Sequence, residues 1–489
     1  MCPYYLGQEL VRWADVLVGD VHHAFDPNGQ LWGLMQAMDW RVAVLVDEAH
    51  NLVERARQMY SAQLGVQQLH ASRRIAPASV RAPLDALLQA AGELAEAQDG
   101  RAAERYRVLA DVPDRFTQAR QAAGAALGEH FQRHPKAVGP LLHFHFELQR
   151  FLRLIETLGE HSLFDVTIEA AAQVIERAAA EPGESRETRE PREPSQTPPA
   201  EDLLRQGPGP LLQPPALSDN TDAPDATFSV RNVAPARFLR ARFKAMHGVT
   251  LFSATLTPPD YLIQLLGLPE DTAWIDVPPA FPAEHLTVRV ADGISTRYAH
   301  RGRSLDALVD VIARQYDEQP GNYLAFFSSF AYLEQAAARL ALRRPALAQW
   351  RQARQMSAEA RQAFLDRFVP GGRGVGFAVL GGVYAEGVDL PGSRLIGAFI
   401  ATLGLPPVSP VQDQIRARLD ALFGAEHGYA DLVPAMQKVV QAAGRVLRSP
   451  EDRGWLWLLD DRYRREDVVA LLPPWWQIAA IERGAPARP

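Results

Sequence analysis

The stretch of sequence that decides the fold is RVAVLVDEAHNLVERAR, residues 41–57. Residues 42–46 form an unbroken apolar run, which predicts a parallel β-strand buried on both faces. Asp47 and Glu48 follow directly, and ligand sites of parallel sheets lie just beyond the carboxyl ends of the strands. Two carboxylates there suit a hydrated Mg²⁺ ion and a water molecule that attacks a phosphoryl group. The alternative is a strand followed by an acidic helix N-terminus, where carboxylates are favourable in any case.

Length and composition restrict the classes of protein that fit. A chain of 489 residues is too long for a single hydrophobic core, so we expect two to four domains. No apolar run approaches the roughly 20 residues of a membrane span. The single cysteine excludes a disulfide framework and predicts a reducing, cytoplasmic location. Because the formal net charge is −7, any nucleic-acid site must be a local groove rather than a general basic surface.

Lysine usage excludes one kind of nucleotide site from this sequence. Lys136, Lys244 and Lys438 are its only lysines, and none of them follows a glycine. A phosphate-binding loop of the form G-x-x-x-x-G-K-[ST] therefore does not occur in these 489 residues.

The apolar pattern predicts an α/β fold with two parallel-sheet domains and an all-α insertion in the first. Residues 1–59 begin the first domain, and helical periodicity over 60–180 predicts the separate all-α insertion. Residues 181–226 are rich in Pro, Glu, Arg and Ser, which is typical of a linker. The first domain then resumes over 227–284. Its predicted elements are an N-terminal helix, strands at 16–18, 42–46, from Thr227 and at 249–252, and a helix at 235–246.

Residues 285–489 predict a second domain of the same kind. Short apolar runs alternate with helical patterns, which indicates a parallel sheet with helices on both faces. The predicted strands are 286–290, 323–327, 376–380, 395–400 and 455–459, and the predicted helices are 305–316, 332–342 and 358–368.

Small hydroxyl residues follow two of the predicted strands. Ser253, Ala254 and Thr255 come after the strand at 249–252, where the hydroxyls can hydrogen-bond the acidic cluster. Ser328 and Ser329 come after the strand at 323–327, where they can bind a nucleic-acid phosphate. Helix N-capping remains the alternative at both places, because Ser and Thr are favoured caps.

Two glycine-containing segments complete the set of polar clusters. GGVYAEGVDLPG, residues 381–392, predicts a tight functional loop, with a plain glycine-rich turn as the alternative. QAAGRVLR, residues 441–448, predicts a helix that carries Gln441, Arg445 and Arg448 on one face. Its mid-helix glycine is interpreted as a site of close packing. Two arginines at a domain cleft can clamp a γ-phosphate, whereas a solvated basic stripe is the alternative.

In combination and in this order, these segments resemble the XPD/DinG-like branch of superfamily 2 DNA helicases. The resemblance implies two RecA-like domains, the first interrupted by an iron–sulfur domain and a helical arch, and ATP-driven 5′→3′ movement on single-stranded DNA. It covers most of the chain outside the insertion and the linker. The motifs that carry it are DEAHN, SATL, FFSS, EGVDLPG and QAAGRVLRSPEDRGWLWLLDDRY.

The resemblance also implies roles for individual residues, with ATP and Mg²⁺ as cofactors. Asp47 would hold Mg²⁺ through water, and Glu48 would activate the attacking water. The residues implied to couple hydrolysis to movement are His50, Ser253, Thr255, Glu386, Gly387 and Asp389. Those implied to reach the γ-phosphate are Gln441, Arg445 and Arg448. Ser328 and Ser329 are the candidate nucleic-acid contacts.

Cys2 marks a departure from the family pattern. Family members carry four cysteines for a [4Fe–4S] cluster, and Cys2, followed by Pro3 and Tyr4, matches the last of them. One thiolate cannot hold such a cluster, so we expect it only in a full-length form. The chain is accordingly expected to be a C-terminal portion of a helicase, with negligible ATPase activity alone.

Two other functions remain open. The chain can instead be a nucleotide-independent nucleic-acid-binding or scaffolding remnant of a helicase. A metal-dependent nuclease that uses Asp47 and Glu48 is weaker, because no further ligand cluster completes a two-metal site. The expected partner is single-stranded or forked DNA, and no membrane association is expected.

Overall fold

The computed structural model describes residues 3–96, 106–169, 225–279, 281–385 and 389–482. The chain divides into two compact units. The first contains Met1–Ala56 and Ala234–Pro489, and the second contains Arg57–Val233. In the described residues, no helix is both long enough and apolar enough to cross a membrane.

A parallel sheet of seven described strands dominates the first unit, which confirms the α/β prediction. The strands lie in the order β13-β7-β12-β11-β8-β10-β9, and all neighbours are parallel. All carboxyl ends therefore meet at one edge. The bounds are β7 Leu286–Ala291, β8 Asn322–Phe327, β9 Gln349–Arg351, β10 Gly374–Val379, β11 Gly397–Ala401, β12 Gly454–Leu458 and β13 Ile478–Glu482. Two short edge strands, β9 and β13, were not predicted.

Hydrophobic clusters cover both faces of this sheet. Along β8 the side chains alternate, so that Tyr323 packs on one face and Leu324 on the other. The helices Arg301–Glu318 and Phe330–Arg343 cover the first face, and Ala358–Leu365 and Leu432–Ala443 cover the second. The predicted helices are thus confirmed. The remaining helices of this half are Pro410–Phe423, Glu466–Val469 and the 3-10 turns Ala283–His285, Gly392–Arg394, Ala425–His427 and Asp461–Arg464.

The other half of the first unit holds a sheet of two described strands. β1, Ala43–Val46, pairs in parallel with β6, Gly248–Leu251. Burial on both faces was wrongly predicted for β1, since Leu45 is 73% exposed and only Val46 is buried. Ala43 and Leu45 are both exposed and lie on the same face of β1, so the described residues leave that face uncovered. The accompanying elements are the helices Pro3–Val11, His22–Phe25, Gln30–Met38, Ala236–Ala245 and Pro259–Leu266, the 3-10 turn Ala49–Asn51 and the first part of Leu52–Met59.

The predicted strand at 16–18 is also wrong, because these residues have no regular structure and Val18 is 99% exposed. The segment that follows is anchored by other contacts. The rings of Phe25 and Phe243 lie 5.3 Å apart, and Arg242 donates to the carbonyl of Ala24. The guanidinium of Arg242 also stacks on Trp32 at 4.6 Å.

The second unit is not all-α, which corrects the sequence prediction. Its described strands form an antiparallel sheet in the order β2-β5-β4-β3. The strand predicted to return at Thr227 belongs to this sheet and not to the first domain. The strands are β2 Ala62–Gly65, β3 Tyr106–Leu109, β4 Ser162–Glu169 and β5 Asp225–Asn232, and the helices are Val66–Ile75, Ala78–Glu96, Asp114–Arg133 and Pro140–Ile155. Most of the predicted linker, residues 181–224, lies outside the described residues.

Period-two alternation explains why this sheet forms. Phe164 and Val166 of β4 and Phe228 of β5 are buried, with polar neighbours between them. The Phe116 ring packs against Phe164 and Phe228 at centroid distances of 6.3 and 5.1 Å. The apolar residues between 162 and 168 therefore belong to a strand and not to the predicted helical insertion.

Candidate active site

The turn after β1 presents two carboxylates at the end of the strand. Glu48 has a positive φ of 48°, and its N–H donates to Asp47 Oδ1 at 2.8 Å. The N–H of Ala49 donates to the carbonyl of Phe252 at 3.2 Å, which ties the turn to the end of β6. The Glu48 side chain is 61% exposed, so its carboxylate is open to solvent or a ligand.

His50 is the buried centre of the next cluster. Its Nδ1 lies 2.7 Å from Ser253 Oγ and 3.2 Å from Glu48 Oε2. Ser253 Oγ in turn lies 3.3 Å from the same Glu48 oxygen, and the N–H of Thr255 donates to Ser253 Oγ at 3.4 Å. The hydroxyl of Thr255 is buried without a hydrogen-bond partner. The structure thus brings Glu48, His50 and Ser253 together around one hydrogen-bonding centre, and Ser253 is not a helix cap there.

The other side of the His50 ring meets the large-sheet half of the unit. His50 Nε2 contacts Nε2 of Gln441, at the end of the helix Leu432–Ala443. A neutral imidazole donates from one ring nitrogen and accepts at the other, so His50 can hydrogen-bond on both sides of its ring at once. One ring therefore links the acidic turn to Gln441.

The prediction that Gln441, Arg445 and Arg448 share one helix face is wrong. The helix ends at Ala443, with Gly444 as its C-cap, and the chain beyond turns away. A Cβ on Gly444 would meet only the carbonyls of Val440 and Gln441, at 3.4 and 3.5 Å, so close packing is not its role. The turn is fixed instead by burial of Val446 and Leu447.

Both arginines contact the edges of the predicted functional loop. Arg445 Nε donates to the carbonyl of Ala385 at 3.1 Å, and Arg448 Nε lies 3.5 Å from Asp389 Oδ1. Ala385 and Asp389 enclose the segment that contains Glu386 and Gly387, which lie outside the described residues. The two arginines are thus placed against the two ends of this segment.

Asp452 holds the turn that carries Arg448. Its Oδ2 accepts the N–H groups of Arg448 and Ser449 at 2.7 and 2.8 Å. Burial raises the pKa of Asp452, but these backbone hydrogen bonds outweigh burial and leave the pKa below its ordinary value. No motif signalled Asp452 in the sequence; the aspartate three residues after a serine, as in a capping turn, is the pattern that could have identified it.

The structure assigns different surroundings to the two serines after β8. Ser329 is a helix N-cap, since its hydroxyl accepts the N–H of Tyr332 at 3.3 Å. Ser328 is exposed. The capping alternative therefore applies to Ser329, while Ser328 keeps a free surface position.

The donor set fits a nucleotide-bound Mg²⁺ but not an iron–sulfur cluster. Mg²⁺ usually keeps several waters and needs only one or two carboxylates besides phosphate oxygens, and Asp47 and Glu48 are exposed at the strand end. The described residues contain no group of three His, Cys, Asp or Glu side chains arranged to hold a metal ion. Cys2 lies outside the described residues, and the single cysteine of the chain cannot ligate a [4Fe–4S] cluster.

Family models match both ends of the chain. Residues 312–479 match the model of the helicase C-terminal domain, and residues 1–69 match the model DEAD_2. The first match covers most of the seven-stranded sheet, and the second contains the turn of Asp47, Glu48 and His50.

Curated relatives with assigned helicase names align over parts of the chain. Identity is 23% over 272 residues to ATP-dependent DNA helicase chl1 of Schizosaccharomyces pombe, which covers 49% of this chain and 32% of that protein. It is 36% over 108 residues to the general transcription and DNA repair factor IIH helicase subunit XPD of Arabidopsis thaliana, covering 21% and 14%. It is 28% over 277 residues to ATP-dependent helicase DinG of Mycobacterium tuberculosis, covering 53% and 40%. The chain thus spans less than half the length of each of these relatives.

Solved structures support the same fold. An XPD helicase superposes with a TM-score of 0.56 at 16% identity, covering 96% of this chain and 74% of that one. Xpd4 of S. tokodaii superposes with a TM-score of 0.52 at 14% identity, covering 88% and 74%. With the family models and the helicase relatives, these similarities support the resemblance of this chain to XPD/DinG-like superfamily 2 helicases.

Proposed function

We propose that this chain is the part of an ATP-dependent DNA helicase that couples the nucleotide site to movement on single-stranded DNA, with 5′→3′ polarity. The contact of His50 with Gln441 carries the proposal. It joins the turn of Asp47 and Glu48 to the segment of Arg445 through a single side chain. A conformational change in one of these two segments then alters the position of the other.

The proposed roles follow from chemistry and position. Asp47 would hold bound Mg²⁺ through a water molecule, and Glu48 would accept the proton of the attacking water. Ser253 hydrogen-bonds His50 and is itself oriented by the N–H of Thr255. Arg445 and Arg448 stabilise the charge that develops on the γ-phosphate. When bound, Mg²⁺ neutralises phosphate charge.

Glu386, Gly387 and Asp389 relay the nucleotide state to DNA, and Ser328 contacts a DNA phosphate. The iron–sulfur cluster has no part in the proposal, because the ligands are missing. The single cysteine supports a cytoplasmic location.

We further propose that the 489 residues alone hydrolyse ATP negligibly. The sequence contains no Gly-Lys pair, and in P-loop enzymes the loop backbone and its lysine hold the β- and γ-phosphates. The same observation favours a second candidate function, a helicase-derived protein that binds single-stranded nucleic acid without nucleotide.

The test measures DNA binding and ATP hydrolysis on the same preparation. Fluorescence anisotropy with a labelled oligothymidylate should show salt-dependent binding, and ATP turnover with this DNA should equal that of Glu48→Gln. Turnover that DNA stimulates and Glu48→Gln abolishes would establish the motor and refute the inactivity of the chain alone. Absence of binding to any single strand would refute both candidate functions. Binding that Mg²⁺–ATP leaves unchanged would favour the nucleotide-independent one.

A further inference from the structure

Two arginine–aromatic pairs lie at the carboxyl edge of the seven-stranded sheet. The guanidinium of Arg301 stacks over the Tyr298 ring at 4.4 Å, and that of Arg354 stacks over the Phe330 ring at 5.3 Å. Tyr298 is 83% exposed. A tyrosine ring with this exposure is accessible to a ligand that stacks on it.

The positive charges of the Arg301 and Arg354 guanidinium groups are not neutralised by carboxylates of the described residues. In the part of the chain that the structure describes, neither Arg301 nor Arg354 pairs with a carboxylate. The nearby acids are already occupied: Asp461 pairs with Arg297 at 2.6 Å, and Asp460 pairs with Arg462 at 2.7 Å. An anion that approached this edge would therefore meet two uncompensated positive charges.

The pairs lie on opposite sides of Ser328. Tyr298 follows β7 and Arg354 follows β9, while Ser328 follows β8, which lies between those two strands in the sheet order. All of these strands are parallel, so all three positions are at the same edge. Arg301 also lies over the ring of buried Tyr332 at 5.5 Å, which gives the guanidinium group a second aromatic neighbour.

We infer that Tyr298–Arg301 and Arg354–Phe330 form a base-stacking track for single-stranded nucleic acid, with the guanidinium groups neutralising its phosphates. Aromatic faces and arginine planes beside a positive groove are how proteins hold single strands without reading their sequence. Every nucleobase has a stackable face, so the track needs no particular sequence. This inference rests on the proposed function and names the residues through which the DNA is held.

The experiment separates base stacking from phosphate attraction. Anisotropy is measured for the full 489-residue chain with a labelled oligothymidylate and with an abasic strand of the same length. Tyr298→Ala should weaken binding to the oligothymidylate roughly fivefold to 100-fold and leave binding to the abasic strand nearly unchanged. Tyr298→Phe, which keeps the ring, should restore binding. Arg354→Ala should weaken binding to both strands and reduce the salt dependence by about one phosphate contact.

Arg373→Ala is the matched control for charge. Arg373 is exposed and immediately precedes β10, so it lies at the opposite edge of the sheet. The Arg373→Ala variant should bind the oligothymidylate and the abasic strand with the same affinity as the unsubstituted chain. If Tyr298→Ala and Arg354→Ala also did so, the inferred track would be wrong while the proposed DNA binding stood. If the unsubstituted chain bound neither strand, the proposed function itself would fail and the track with it.

Discussion

His50 Nε2 contacts the side-chain amide of Gln441, although 391 positions separate the two residues along the chain. The other ring nitrogen of His50 is held by Ser253 and Glu48. A buried ring with a fixed partner on each side can have only one orientation, so this contact connects the β1–β6 half of the first unit to the seven-stranded half.

A double-mutant cycle tests this contact. His50→Ala and Gln441→Ala should each lower the free energy of unfolding of the first unit. The double variant should lose less unfolding free energy than the two single variants together. The difference should be about 0.5–1.5 kcal/mol, the usual net contribution of one hydrogen bond. Chemical denaturation of the four proteins measures this coupling. Gln437→Ala, one turn earlier on the same helix, is the control and should show no coupling to His50→Ala. Equal coupling for both glutamines would mean that the effect is not specific to the contact.

A second prediction concerns Asp460, whose carboxylate accepts the N–H of Thr296 and is paired with Arg462. Burial raises the pKa of Asp460, but the hydrogen bonds and charge of Arg462 and the hydrogen bond of Thr296 outweigh burial and hold the pKa below its ordinary value. Asp460→Asn leaves the mostly buried Arg462 without its partner and should cost about 3–5 kcal/mol. Asp461→Asn breaks a half-exposed pair with Arg297 and should cost about 1 kcal/mol or less.

The same substitution has a pH signature. Since the folded pKa of Asp460 is lowered, the unfolded chain binds more protons at acid pH. The stabilising contribution of ionised Asp460 is therefore complete above the pKa of this group in the unfolded chain. It disappears as the pH falls through the lower pKa of Asp460 in the folded protein. Denaturation curves between pH 3 and pH 7, roughly the window in which carboxyls titrate, should show a smaller loss on acidification for Asp460→Asn than for the natural chain. An unchanged pH dependence would show that the pKa of Asp460 is not lowered in the folded protein.

The turn that carries the two arginines gives a third prediction. A Cβ on Gly454 would lie 2.1 Å from Cγ1 of buried Val446, between Arg445 and Arg448. Gly454→Ala should therefore cost about 1–3 kcal/mol through overpacking. Adding Val446→Ala should recover part of that loss, because it removes the clashing methyl group. Gly33→Ala, in a helix where nothing lies within 4 Å of the added atom, should be neutral or stabilising. Thermal unfolding compares these three variants with the natural chain, and failure of the second substitution to rescue the first would contradict the steric account.

A fourth prediction separates the two serines after β8. Ser329→Ala removes the cap of the helix Phe330–Arg343 and should cost about 1 kcal/mol of stability. Ser328→Ala should leave stability within about 0.5 kcal/mol but weaken binding to single-stranded DNA. Each variant is measured by denaturation and by anisotropy. Weaker DNA binding for Ser329→Ala alone, at intact stability, would reverse the two roles.

The sequence predicted most of the second domain because its signals are local. Strands such as β8 are continuous apolar runs, and the helices between them show a clear period of 3.6 residues. The residues of the acidic turn were identified for the same reason, since Asp47 and Glu48 follow a strand directly. What could not be predicted depends on neighbours distant in sequence. The end of the helix at Ala443 depends on burial of Val446 against Gly454, and the stacking of Arg354 on Phe330 joins residues that no motif connects.

The exposure of β1 shows the same limit and gives the last prediction. An apolar run indicates that a strand can be buried on both faces. The strand is buried only if other elements of the fold cover those faces. Val46 is 3% exposed and Leu45 is 73% exposed, so the two neighbours should respond differently to truncation. Val46→Ala should cost roughly 1.5 kcal/mol or more, and Leu45→Ala should stay within about 0.5 kcal/mol. Denaturation of both variants measures the difference. Equal large losses would mean that the outward face of β1 is covered in solution, for example by association of two copies, which sedimentation of the Leu45→Ala variant would then reveal as a change in mass.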